Sequence, residues 1–288
     1  MRTSIGIAIV FLAGCPSKDE HAPAPGVMPD AAPIASISAA PAASGPVKPL
    51  PCRAIAVAGK ITDTDGGASL SLGGQLPDSI FALDDAAKMT VKDPASGREV
   101  TFEGAATVRT CVAGDPEHWL LKGGFSATPG AGEKPGSEEW VITPFGIVRF
   151  ASAMVKIRVE KDRVTVRVSS GSVSIYAPKL TAPDGGAPPT AEWTDATPAA
   201  PLDLLSPGPP KKLVDACAAV AKTARELGAQ LVSPDASIGD LAPKHLEARR
   251  KARASCALAR VSALSAGGDS ALFMRAEAAD AEWRIVAR

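Results

Sequence analysis

The chain is poor in several things at once. Aromatic residues make up 4% of its 288 positions, with a single tyrosine, and there are three histidines. With so few rings, the core must be built from Val, Ile and Leu. Charge of one sign is missing too, since 31 Lys and Arg balance 31 Asp and Glu. That balance excludes a nucleic-acid partner, whose capture depends on phosphate neutralisation. Beyond the N-terminus there is no run of about 18 or more apolar residues, so no transmembrane helix is expected. CxxC pairs, HExxH and GxSxG are all absent. Neither a metal site, a hydrolase elbow nor a cofactor is therefore implied, and no catalytic residue is nominated. His118, beside Asp115 and Glu117, reads as part of a solvated loop, and "GAGEKPG" at 130–136 as a long hairpin loop. Asp84 and Asp85 read as turn residues, because neighbours on a strand face opposite ways.

What is present starts at the N-terminus. Arg2, an apolar stretch over 5–12 and small residues before a cysteine follow the plan of a secretory signal peptide. Leu12, Ala13, Gly14 and Cys15 resemble the bacterial lipobox. That resemblance implies cleavage before Cys15 and lipidation of its sulfur, including palmitate. Several acyl chains on one residue anchor stably where one is marginal. Pro16 follows in place of an inner-membrane retention aspartate, so the expectation is an outer-membrane lipoprotein facing the periplasm. Residues 15–51 are an Ala/Pro-rich stretch too poor in large apolar groups to fold, and read as a disordered tether. Cys52, Cys111, Cys217 and Cys256 remain. An even count in an exported protein predicts disulfides, with three pairings possible.

Residues 52–177 carry period-two patterns. "MVKIRVE" sets Val155, Ile157 and Val159 against Lys156, Arg158 and Glu160, and "RVTVRVS" and "SVSIY" repeat the alternation. This predicts a half-buried antiparallel sheet. Shorter runs upstream, "REVTFEG" and "AATVRTCV" among them, read as separate strands punctuated by Gly and Pro. The fold class is mainly β, an antiparallel sandwich or coiled sheet followed by a small α-helical C-terminal domain. Residues 178–210 read as a second Pro/Ala-rich linker, with Trp193 as an anchor. Over 211–288 the period changes. Leu213, Cys217, Val220, Ala224, Leu227 and Leu231 mark one helix face, a second helix runs from about 243 to 265, and a third begins at Asp269 or Ser270. The first hairpin centres near Ser237 and brings Cys217 level with Cys256, so a staple between these helices is expected. Cys52 and Cys111 would then clip the β domain. The basic run at 247–253 reads as a solvated helix face, and Trp140, Trp193 and Trp283 as packing anchors.

At 140–176, Thr143, Pro144, Phe145 and Gly146, then a strand, a charged hairpin and Val168, Gly171, Ser172 and Val173, the sequence resembles the FecR-like domain. The resemblance extends over about 54–177. It departs where Ala151, Ser152, Ala153 and Met154 replace the family's G-T-x-F element. It implies an all-β periplasmic domain that binds another protein or an envelope component, without catalytic residues. The leading expectation is thus a lipid-anchored periplasmic module, attached to the membrane by its lipid and bound to an unidentified envelope protein or to peptidoglycan. The alternatives are a structural spacer between outer membrane and peptidoglycan, and a wall- or carbohydrate-active enzyme.

Overall fold

The fold is taken from a computed structural model that describes residues 52–64, 70, 72–73, 75–94, 96–112, 117–129, 137–179, 190–198, 201–233, 237–265 and 267–285. The readings of the signal segment 1–14, of the tether 15–51 with Cys15 and of the loop 130–136 fall outside these residues. The strands are β1 (Arg53–Ala58), β2 (Ile61–Asp63), β3 (Ile80–Leu83), β4 (Lys88–Lys92), β5 (Glu99–Thr110), β6 (Glu117–Thr128), β7 (Glu139–Thr143), β8 (Gly146–Phe150), β9 (Met154–Val159), β10 (Arg163–Ser170), β11 (Val173–Lys179), β12 (Thr190–Ala196) and β13 (Leu202–Leu205). Three helices follow: α1 (Pro210–Leu231), α2 (Ile238–Ser265) and α3 (Ser270–Ile285). The protein is mainly β with a small helical part, as the periodicity predicts.

All the strands join one open sheet. Its spine is the pair β5 and β6. The first half of β5 pairs with β4 and its second half with β3, while β6 pairs with β7 at its start and β9 at its end. The ladder between β5 and β6 loses register between Glu103 and Thr107. Gly104 (φ +73°) and Gly123 (φ +97°) sit at this break. A Cβ on Gly123 would lie 2.5 Å from that of Ala106, so glycine is required there for space as well as for φ. "REVTFEG" and "AATVRTCV" are therefore one bulged strand and not two.

The break divides the sheet into two lobes that share β5 and β6. Lobe one is β1, β4, β5, β6, β9, β10 and β13. Lobe two is β2, β3, β5, β6, β7, β8, β11 and β12. In lobe one, Val166, Ile157, Phe125, Phe102 and Met89 lie opposite one another across five strands, all buried. Phe81, Val108, Leu120, Val141, Val148 and Ile175 of lobe two pack into the same core. Lobe two also buries its other face. Trp119, Ile142, Ile147, Tyr176 and Trp193 form a row across β6, β7, β8, β11 and β12, and the helices cover it. Burying each such large apolar side chain contributes roughly 2 kcal/mol. α2 is the central helix of this layer, and between Ala252 and Ala263 its buried residues include Cys256, Leu258 and Val261.

The segment read as a linker supplies two edge strands. β12 pairs with β11 in lobe two, and β13 with β10 in lobe one. An edge strand is bonded on one side only, so it tolerates the weak β-formers that make 178–210 look unstructured. α2 starts at Ile238, earlier than expected. The Ser237 carbonyl accepts from the Asp240 and Leu241 amides, and Pro243 lies inside the helix. Asp269 caps α3, its Oδ1 accepting from the Leu272 amide at 3.0 Å. Two disulfides are formed, Cys52 with Cys111 and Cys217 with Cys256. The first ties the entry to β1 to the end of β5, where Cys111 adopts φ +55°; the second joins α1 to α2.

Candidate functional site

The inner face of lobe two holds a chain of polar side chains. Ser96 donates to Glu139 Oε1 at 2.6 Å. With its proton on Nε2, His118 donates to Glu139 Oε2 at 2.9 Å, and its Nδ1 accepts from Thr110 Oγ1 at 2.7 Å. Burial pushes the Glu139 carboxyl up. The His118 ring, the Ser96 hydroxyl and the Arg98 guanidinium together outweigh it, leaving the carboxyl below its ordinary 4.5. Thr110, His118 and Glu139 stand in the order hydroxyl, imidazole, carboxylate, as in a nucleophilic triad. However, none of them is more than 1% exposed, and the Phe102 and Phe125 rings lie against the imidazole. In this closed arrangement the groups satisfy one another, which is what buried polar atoms require.

His118 is therefore not in a solvated loop. It lies on β6, two residues before the buried Leu120 and on the same face. That two-residue spacing is the signal that locates it. Glu117 and Trp119 have the opposite parity and face the helices. Trp119 Nε1 donates to Glu117 Oε1 at 2.9 Å, and Arg253 and Arg260 of α2 approach the same carboxylate at 3.7 Å. Arg260 also pairs with Glu277 at 3.0 Å and Asp280 at 3.5 Å. Burial lowers its pKa, but the charges of Asp280, Glu117 and Glu277 outweigh burial and favour the protonated guanidinium. Guanidiniums also lie over rings: Arg253 over Trp140 at 4.3 Å, Arg260 over Trp119 at 5.2 Å and Arg149 over Trp193 at 4.4 Å. The Tyr176 hydroxyl, pushed up to about 12 by burial, bonds Ser255 of α2. The contacts of Arg253 and Arg260 with Glu117, Trp140 and Trp119, and the bond from Tyr176 to Ser255, fasten the helical layer to the sheet. Part of the basic run at 247–253 is thus structural, with Arg253 turned inward.

The accessible chemistry lies at the edge of that junction, in a cleft of ≈ 620 Å³. Its apolar wall is Leu121 of β6, Pro144 and Phe145 of the turn between β7 and β8, and Leu264 at the end of α2. The turn is set by Thr143, whose Oγ1 accepts from the Phe145 and Gly146 amides at 3.3 and 3.1 Å and donates to the Gly146 carbonyl at 2.8 Å. Thr107, Lys122, Glu160, Lys161 and Ser265 form the polar rim. Glu160 is engaged by Arg163 at 3.1 Å and Arg158 at 3.6 Å. Among the described residues, neither Lys122 nor Lys161 forms an ion pair. The cleft therefore offers apolar contact bordered by two available cations. The turn is legible in the sequence but the lysines are not, since only tertiary folding brings β6, the β9–β10 hairpin and α2 together.

A second groove of ≈ 490 Å³ runs between α1 and α2, lined by Val220, Leu227, Pro243 and Ala248 with Lys244, Glu247 and Lys251. Among the described residues no cluster of three or more metal-ligating side chains occurs, and no helix is long and apolar enough to cross a membrane. The four cysteines expected to pair lie away from the cleft lining.

No protein-family model matches the chain, and no curated protein matches it. Two crystal structures, at 1.65 and 2.50 Å resolution, of a "putative anti-sigma factor" from Parabacteroides distasonis ATCC 8503 are similar to it. In each the identity is 13% and the TM-score 0.32, over 44% of this chain. The chain spans 60% of the length of those structures. A likeness this slight transfers neither fold nor function.

Proposed function

We propose that the protein is a non-catalytic, lipid-anchored envelope module of the FecR-like kind, which holds a segment of an envelope protein in the cleft between lobe two and α2. The observation that carries this reading is the cleft's composition. Its wall is the very turn on which the FecR-like resemblance rests, and its rim presents Lys122 and Lys161 beside apolar Leu121, Phe145 and Leu264. Such a site suits a peptide that pairs an apolar side chain with carboxylates. Two disulfides suit an oxidising compartment outside the cytoplasm, and the lipobox-like Cys15 suits attachment to the periplasmic side of the outer membrane. The closure of the Thr110, His118 and Glu139 array supports a structural role for the groups an enzyme would use.

The test is charge reversal in the full-length chain. Lys122→Glu with Lys161→Glu is expected to abolish the protein complex trapped by chemical crosslinking in cells, with Tm within a degree or so because both lysines are exposed. Persistence of the same complex would contradict the proposal. Cys15→Ala is expected to remove palmitate labelling and release the protein from the membrane fraction.

A further inference from the structure

The outer face of lobe one, which the helices leave open, carries two neighbouring transverse rows of different chemistry. In the first, Asp203, Thr165, Arg158, Gly124, Glu103 and Lys88 lie opposite one another from β13 to β4. Its acids and bases cancel. Thr165 donates to Asp203 at 2.8 Å, and Arg158 pairs with Glu160 at 3.6 Å. The second row is Arg167, Lys156, Ser126, Thr101 and Thr90, from β10 to β4. It holds two cations, three hydroxyls and no acid.

Arg167 and Lys156 are directly opposed on adjacent strands and both exposed. Like charges in that position destabilise a sheet. Among the described residues neither has an ion pair to relieve the repulsion. Ser126 and Thr101 are directly opposed, and Thr90 and Thr101 share a hydrogen bond at 3.0 Å. With strands ~4.8 Å apart, the row is about 19 Å long. Met154, 40% exposed, precedes Lys156 by two and so faces the same way.

We infer that this row is a binding site for an extended anionic saccharide, with Arg167 and Lys156 taking its carboxylate or phosphate groups and the hydroxyl ladder exchanging hydrogen bonds with its sugar hydroxyls. The charge is complementary, and the repulsion between the two cations is relieved when an anion lies between them. The row itself contributes no apolar side chain, and Met154 beside it is a single exposed residue and not a ridge to insert into acyl chains, which separates it from a lipid-docking surface. None of the row's residues lines the cleft, and the row carrying Arg158 lies between them and the cleft rim at Glu160, so the site does not depend on what the cleft holds.

The probes are polygalacturonate as a carboxylated glycan, dextran as a neutral one, purified peptidoglycan sacculi, and vesicles of phosphatidylglycerol with phosphatidylcholine. The full-length protein is expected to bind polygalacturonate and sacculi, to ignore dextran and vesicles bearing no glycan, and to weaken as salt rises. Lys156→Gln with Arg167→Gln should lower glycan affinity at least tenfold while Tm stays level or rises, a combination that loss of a structural contact would not give. Lys122→Glu in the cleft should leave glycan affinity unchanged, so failure here and failure of the cleft reading are separately visible. Equal binding to dextran, unchanged affinity in the double variant, or binding to the anionic vesicles alone would overturn the inference.

Discussion

Two rows of five residues cross the outer faces of the two lobes, each on five adjacent strands. In lobe two the row is Trp119, Ile142, Ile147, Tyr176 and Trp193. In lobe one it is Arg167, Lys156, Ser126, Thr101 and Thr90. One sheet with one inner core thus presents opposite chemistries outside, and that difference decides where the helices sit. A row of aromatic and branched side chains must be covered, and α2 covers it. A row of cations and hydroxyls costs too much to desolvate and stays wet. The contrast also separates the two proposed surfaces, a cleft at the margin of the covered face and a polar strip on the open one.

The largest effect should come from the covered side. Arg260→Ala would remove the buried guanidinium that Glu117 and Asp280 share, leaving Glu117 with Arg253 and Asp280 with Arg284, and should cost about 3–5 kcal/mol in urea unfolding. The matched change on the open face, Arg158→Ala, should stay within about 0.5 kcal/mol, because that ion pair is exposed. Comparable losses at both positions would erase the distinction between the faces.

Next in size is the helix staple. Cys217→Ser with Cys256→Ser opens a link between residues 39 apart in sequence and should cost about 3 kcal/mol. Because Cys217 and Cys256 lie in the cluster packed under the helices, the loss should appear first as hydrogen exchange in α1 and α2.

Glu139 gives a pH signature to the shared core. Its carboxyl is held below 4.5 in the folded protein, so the stability it contributes is present above pH 4.5 and drains away as pH falls through the lower folded value. Melting temperature should therefore decline on acidification below about 4.5. Glu139→Gln should lower neutral stability by about 1–3 kcal/mol and flatten that acid slope; an unchanged slope would remove Glu139 from the account. The smallest effect belongs to the open row, where Lys156→Gln should stabilise by a few tenths of a kcal/mol by ending the opposition with Arg167.

The same contrast explains what the sequence reveals. β9 and β10 alternate cleanly because one face is in the core and the other in water, so their pattern can be read directly. β7, with all five residues buried, reads as a short apolar run whose second neighbour is invisible without the helices. His118 looks polar and loop-like because its partners, Thr110 and Glu139, lie 8 and 21 residues away. β12 and β13 are hidden by proline- and alanine-rich surroundings that edge strands tolerate. The level match of Cys217 and Cys256 is legible because a helical hairpin fixes height by counting. Nothing in local sequence places Lys122 beside Lys161, or Arg167 opposite Lys156 and in line with Thr90, since register across five strands is a tertiary property.

The most direct measurement places one photo-reactive residue at position 122 and, separately, at position 156 of the full-length protein in living cells. Position 122 is expected to give a discrete protein adduct, lost when Lys161→Glu is added, and position 156 a lysozyme-sensitive glycan adduct. The same adducts from both positions would contradict the separation of the two surfaces.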